Sequence, residues 1–150
     1  MSEPSLRLES DSPGRTEAVG AELAARLGAG DVVLVAGDLG SGKTTLIRGA
    51  CRALGVSEPI TSPTFTLGAR YRGRLRISHL DLYRLEDVEE EVPGLLDDYL
   101  TPDAVVFVEW PAGAGTRLAA TVRVEIEHTG GDRRRIAIAT DRYRAAPDAT

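Results

Sequence analysis

The chain has 150 residues, 42% hydrophobic and 27% charged, proportions that exclude a disordered, collagenous or repeat protein and suit one folded domain with one core. Acidic residues outnumber basic ones 23 to 18, a net charge of −5, which argues against a strong non-specific grip on a nucleic-acid backbone and leaves a nucleic acid as an indirect client. Cys51 is the single cysteine, so no intrachain disulfide and no multi-cysteine metal centre can form, as expected for a cytoplasmic protein.

No targeting segment and no membrane span are expected. The first residues lack a basic stretch followed by an apolar run, and the apolar runs at 32–36 and 104–108 are too short to cross a bilayer. Ser12-Pro13 is a helix start, and Val19, Leu23 and Leu27 recur every fourth residue up to Gly28, a natural stop, so an amphipathic helix is predicted there. Residues 32–36, Val-Val-Leu-Val-Ala, show no polar alternation and predict a strand covered on both faces. A glycine-rich turn follows, and from Lys43 the stripe Leu46, Ile47, Ala50, Leu54 predicts a helix that stops at Gly55.

Residues 57–63 form a polar loop with two prolines, and 65–71 with 75–81 predict two strands joined around Arg72-Gly73-Arg74. Residues 86–91 predict a short acidic helix broken at Pro93-Gly94, followed by an apolar patch of Leu95, Leu96, Tyr99 and Leu100. Residues 104–108 read as a second buried strand, running into Glu109-Trp110-Pro111. Val122, Val124 and Ile126 alternate with polar residues, turn at Gly130-Gly131 and are answered by Ile136 and Ile138, which predicts an antiparallel hairpin. Residues 1–139 are expected to form the domain and 140–150 a loosely ordered tail.

The segment Gly37-Asp38-Leu39-Gly40-Ser41-Gly42-Lys43-Thr44 satisfies GxxxxGK[ST], whose glycines let successive backbone N–H groups turn inward around phosphate oxygens. Given this composition, chance supplies about 0.001 such matches, and the segment lies between a predicted buried strand and a predicted helix, the context the motif requires. It places Asp38, Leu39, Gly40, Ser41, Gly42, Lys43, Thr44 and Thr45 around a nucleotide. Lys43 brings a compact charge to the β- and γ-phosphates and Thr44 a hydroxyl to Mg²⁺, while the helix directs its positive end at the same anion. Lys43 is also the only lysine among the 18 basic residues, and the planar fork of an arginine would not serve that point-charge role.

A phosphate loop needs a carboxylate at the end of a neighbouring buried strand, and Glu109 has that position. His79, Asp81 and Tyr83 share one strand face, with Leu80 and Leu82 on the other, so three polar groups converge on one side. Asp81 is the candidate for orienting the attacking water or supporting the metal shell; the competing assignment pairs it with an arginine such as Arg84. His79 is read as a hydrogen-bonded structural histidine. Thr64, on the proline-stiffened loop 61–65, sits where switch loops respond to a γ-phosphate, though hydroxyls that only cap a polar loop read the same way. Arg70, Arg72, Arg74 and Arg76 crowd one hairpin as a solvated basic rim or a docking surface, Trp110 marks an interface or a packed strand end, and Cys51 is a small core residue.

These residues together resemble the bacterial TsaE (YjeE) family, the ATPase accessory to tRNA threonylcarbamoyladenosine synthesis. The resemblance runs from about Thr16 to Ile138 and rests on residues 37–45, Ser62-Pro63-Thr64-Phe65, His79-Leu80-Asp81-Leu82-Tyr83-Arg84-Leu85, Leu95-Leu96-Asp97-Asp98-Tyr99 and Val108-Glu109-Trp110-Pro111. It implies an α/β fold, a single P-loop NTPase domain whose mixed sheet, a parallel core plus antiparallel hairpins, is flanked by helices. It further implies ATP and Mg²⁺ as cofactors, with weak hydrolysis that matters inside a complex with TsaD-type and TsaB-type partners and touches tRNA only indirectly. By the same analogy Lys43, Asp81 and Glu109 are the catalytic set, Thr44 and Glu109 hold the metal, Asp81 is the additional acid for turnover, and Arg134 approaches the nucleotide. The rivals are a small P-loop kinase, which needs an acceptor pocket and a lid that 150 residues do not obviously supply, and a non-catalytic ATP-sensing scaffold. The usual guanine-selecting NKxD loop is excluded, because no lysine other than Lys43 is present.

Overall fold

The computed structural model describes residues 6–38, 40–60, 67–83, 85, 88–91, 93–111 and 119–140. In chain order the elements are β1 (Leu6–Ser10), α1 (Pro13–Ala24), β2 (Val32–Gly37), α2 (Lys43–Ala53), β3 (Gly68–Arg72), β4 (Arg76–Asp81), α3 (Val88–Glu91), α4 (Leu95–Tyr99), β5 (Ala104–Pro111), β6 (Val122–Gly130) and β7 (Arg133–Ala139). Among these residues the strands make one seven-stranded sheet in the order β1-β7-β6-β2-β5-β4-β3. β2 runs parallel to both β5 and β6, and β4 parallel to β5, whereas β1–β7, β6–β7 and β3–β4 are antiparallel. The sheet is thus mixed, with the continuous apolar runs of β2 and β5 side by side at its centre.

Strand alternation splits those runs between two cores. Val33, Val35, Val105 and Phe107 face α1 and α2, together with Ile77, Val124, Ile136 and Ile138. Leu34, Val106 and Val108 face the other way, toward Leu80, Leu82, Trp110 and the α4 residues Leu95, Leu96 and Tyr99. Cys51 lies in the first core, where burial pushes its thiol up to about 12, so it acts as a small apolar side chain. Trp110 is packed at its strand end.

Helix α1 starts as the sequence indicates: Ser12 Oγ accepts a hydrogen bond from the Arg15 N–H and Pro13 occupies the first turn. It ends at Ala24, four residues short of Gly28. Beyond it the chain tightens, with Arg26 N–H bonded to Leu23 O and Leu27 N–H to Ala24 O, and the Gly28 N–H is taken by the Asp31 carboxylate at 2.8 Å. Leu27 keeps the helical period but is only partly buried. Strand β1 is not evident from the sequence, because a five-residue edge strand has too little alternation to stand out and exists through its pairing with β7. Strand β5 also continues past Val108 through Glu109 to Pro111.

Helices α1 and α2 touch backbone to backbone at two glycines. A Cβ on Gly20 would sit 2.0 Å from Leu46 O, and one on Gly49 would sit 2.0 Å from Glu17 O. Gly20→Ala is therefore expected to force the helices apart and to destabilise the protein by about 1–3 kcal/mol. The corresponding fall in Tm is roughly 2–4 °C per kcal/mol, and a urea melt checks it; an unchanged midpoint would show that the crossing relaxes freely.

Candidate nucleotide site

The loop between β2 and α2 is shaped by two glycines in the left-handed region, Gly40 at φ 79° and Gly42 at φ 106°. Gly42 is the N-cap of α2, so the unpaired N–H groups of the first turn and the positive end of the helix open onto the loop. Lys43 is buried, its Nζ donating to Gly37 O at 2.7 Å and Asp38 O at 3.0 Å. The ammonium also lies 4.7 Å from the centre of the Tyr83 ring. Burial lowers the Lys43 pKa from the usual lysine range, with the Glu109, Asp81 and Asp38 charges pulling against it. Among the described residues Ser41 Oγ is buried without a hydrogen-bond partner. Thr45 follows Thr44 in the first turn of α2, half-buried.

On the α2 side of the sheet His79, Asp81 and Glu109 of the parallel strands β4 and β5 gather near Thr44 of α2. Asp81 and Glu109 are register partners on β4 and β5. Thr44 Oγ1 donates to Glu109 at 3.1 Å and 3.0 Å from its two carboxylate oxygens, and His79 Nε2 lies 2.6 Å from Glu109 Oε2. Burial alone would raise the Glu109 carboxyl, but the hydrogen bond and charge of His79, the Thr44 hydroxyl and Lys43 together outweigh it and hold the group below the usual glutamate range. Asp81 goes the other way. Burial raises it above the usual aspartate range and Glu109 adds to the rise, against the Tyr83 N–H that donates to its Oδ1 at 3.1 Å.

Two neighbouring carboxylates and a hydroxyl are hard oxygen donors, and they stand beside a loop built for phosphate. That set fits magnesium, which takes one or two protein oxygens and completes its shell with phosphate oxygens and water. Among the described residues no group of three or more His, Cys, Asp or Glu side chains is arranged as a metal site by itself.

Arg134 reaches the loop from the far side. β6 runs parallel to β2 with Ile126 opposite Gly37, continues past it, and returns as β7 with Arg134 opposite His128. The guanidinium is thereby set against the loop, donating to Ser41 O at 2.7 Å and Gly40 O at 3.2 Å, and to Gly131 O and Arg133 O in its own turn. The sequence indicated no such contact with the loop backbone, because it depends on the sheet order. The basic hairpin is exposed, and three of its arginines have local partners: Arg70 over the Tyr99 ring and on Asp98 O, Arg74 on Ala53 O, and Arg76 beside Asp103. Leu39, Thr64 and Arg84 lie outside the described residues. The Tyr83 ring near Lys43 and the His79–Glu109 bond are two further site contacts that sequence reasoning did not specify; the alternation at 79, 81 and 83 was their visible signal.

The sheet order and the loop motif define the fold as that of the P-loop NTPase class. Residues 10–136 match the family model described as threonylcarbamoyl adenosine biosynthesis protein TsaE, and the chain belongs to that family. It is 36% identical over 133 residues to the tRNA threonylcarbamoyladenosine biosynthesis protein TsaE of Bacillus subtilis, covering 87% of this chain and 83% of the relative. The protein of the same name from Treponema pallidum is 34% identical over 135 residues, with 89% and 100% covered. The crystal structure of Bacillus subtilis YdiB superposes with a TM-score of 0.73 at 31% identity, over 90% of this chain and 85% of that one. Among the described residues no helix is long and apolar enough to cross a membrane.

Proposed function

We propose that this protein is a Mg²⁺-dependent ATPase accessory to tRNA N6-threonylcarbamoyladenosine modification, driving or resetting the turnover of TsaD-type and TsaB-type partners in the cytoplasm. The family supports the process, and one observation supports the chemistry: the Thr44 hydroxyl hydrogen-bonds to the Glu109 carboxylate, which sets two hard oxygen groups together beside the phosphate loop. Bound magnesium supplies charge neutralisation to the β- and γ-phosphates. The chain's own residues do the rest. The loop amides and Ser41 receive phosphate oxygens, and Lys43 exchanges the carbonyls of Gly37 and Asp38 for phosphate. Glu109 keeps Thr44 oriented, and Asp81, whose raised pKa suits it to accept a proton, orients and deprotonates the attacking water. Arg134 steadies the loop through its carbonyls, and Thr64 senses the γ-phosphate.

The direct test is reconstitution of the modification on unmodified tRNA from purified TsaD-type and TsaB-type proteins, with and without this chain. Multiple turnover that needs both the chain and ATP is the expected result. Turnover indifferent to the chain would overturn the reading.

A further inference from the structure

The buried imidazole of His79 does not earn its place by packing. Its ring is fully buried, and among the described residues its Nδ1 has no hydrogen-bond partner. An apolar side chain of similar size would fill that space without leaving a polar atom unmet. What the histidine adds is the other nitrogen, 2.6 Å from Glu109 Oε2. An ionised Glu109 is acceptor-only, so Nε2 carries the proton and donates. The ring itself comes from β4, where His79 sits opposite Phe107, two residues before Glu109 on β5. It therefore reaches diagonally along the sheet to the same carboxylate that Thr44 contacts, at the oxygen Oε2.

We propose that His79 is a positioning residue which locks the Glu109 carboxylate against Thr44 and so presets the metal-binding oxygens before any nucleotide arrives. Glu109 has three rotatable side-chain bonds, and the 2.6 Å contact from the buried imidazole adds to the Thr44 hydrogen bonds in fixing where its carboxylate lies. Outer partners of this kind commonly set metal affinity by about 10–100-fold. The inference rests on the metal role proposed for Thr44 and Glu109, and its test separates the two.

The experiment measures Mn²⁺ binding by electron paramagnetic resonance to the full chain saturated with a non-hydrolysable ATP analogue, alongside analogue affinity in EDTA. His79→Leu is expected to weaken Mn²⁺ binding about tenfold or more while leaving metal-free analogue affinity within about twofold. His79→Gln, whose amide nitrogen reaches the place of Nε2, is expected to recover most of the loss. In a Glu109→Ala background, His79→Leu should add no further loss. Unchanged Mn²⁺ affinity in His79→Leu, or an equal loss with and without Glu109, would overturn the positioning role. Absence of nucleotide-dependent Mn²⁺ binding in the unsubstituted protein would overturn the metal site itself, and the positioning role with it. A readout independent of folding variants is the ¹⁵N spectrum of the unsubstituted protein's imidazole. A proton on Nε2, whether or not Nδ1 carries one as well, supports the bond, and a bare Nε2 contradicts it.

Discussion

Lys43→Ala is expected to weaken binding of an ATP analogue by two to three orders of magnitude while leaving the circular dichroism spectrum near that of the unsubstituted protein. The magnitude follows from truncating one member of a buried, hydrogen-bonded charge pair, about 2–5 kcal/mol. The spectrum is spared because the ammonium serves the loop rather than either core: its partners are the Gly37 and Asp38 carbonyls and the face of Tyr83. With the side chain removed, the loop amides and the α2 N-terminus remain but the point charge is lost. Arginine is not expected to rescue, since a planar fork does not fit the space a compact ammonium takes between two carbonyls. Calorimetric titration with the analogue checks this, and unchanged affinity would remove Lys43 from the site.

Asp81→Ala is expected to cut ATP hydrolysis in the assembled complex by about 10²–10⁴-fold, the usual contribution of a positioned acid or base, with analogue affinity changed no more than a few-fold. Glu109→Ala should likewise reduce hydrolysis more than binding, with a steeper requirement for magnesium. It also removes the partner of both Thr44 and His79, so some loss of stability accompanies it. The two acids separate because their surroundings push them apart. Glu109 is held ionised by the hydrogen bonds of His79 and Thr44, whereas Asp81, half-buried beside that negative charge, gains a proton more readily. Single-turnover hydrolysis with the partner proteins, set against calorimetric affinity, distinguishes these effects; wild-type turnover in both variants would cancel both assignments.

Much of this site was legible because its parts are local. A phosphate loop needs glycines, a lysine and a hydroxyl within one short stretch between a strand and a helix, and residues 37–44 carry all of them in order. The parallel centre was legible for a similar reason: strands covered on both faces have no polar alternation, and β2 and β5 show none. Less was visible at the edges. β1 has five residues and one partner strand, and the end of α1 was misplaced because Leu27 keeps the helical period after Asp31 has already taken the Gly28 N–H.

What residue order alone determined, then, was the class of the protein and which groups make up the phosphate-loop motif, since these depend on backbone turns and charges within a few residues of one another. Tertiary structure decided which distant groups touch. That His79 bonds to Glu109, that Thr44 meets the same carboxylate, and that Arg134 clasps the carbonyls of Gly40 and Ser41 all follow from β4, β5, β2, β6 and β7 lying in one particular order and register. Periodicity reports which face a side chain occupies but not which strand lies beside it, so these contacts become definite only when the sheet is assembled.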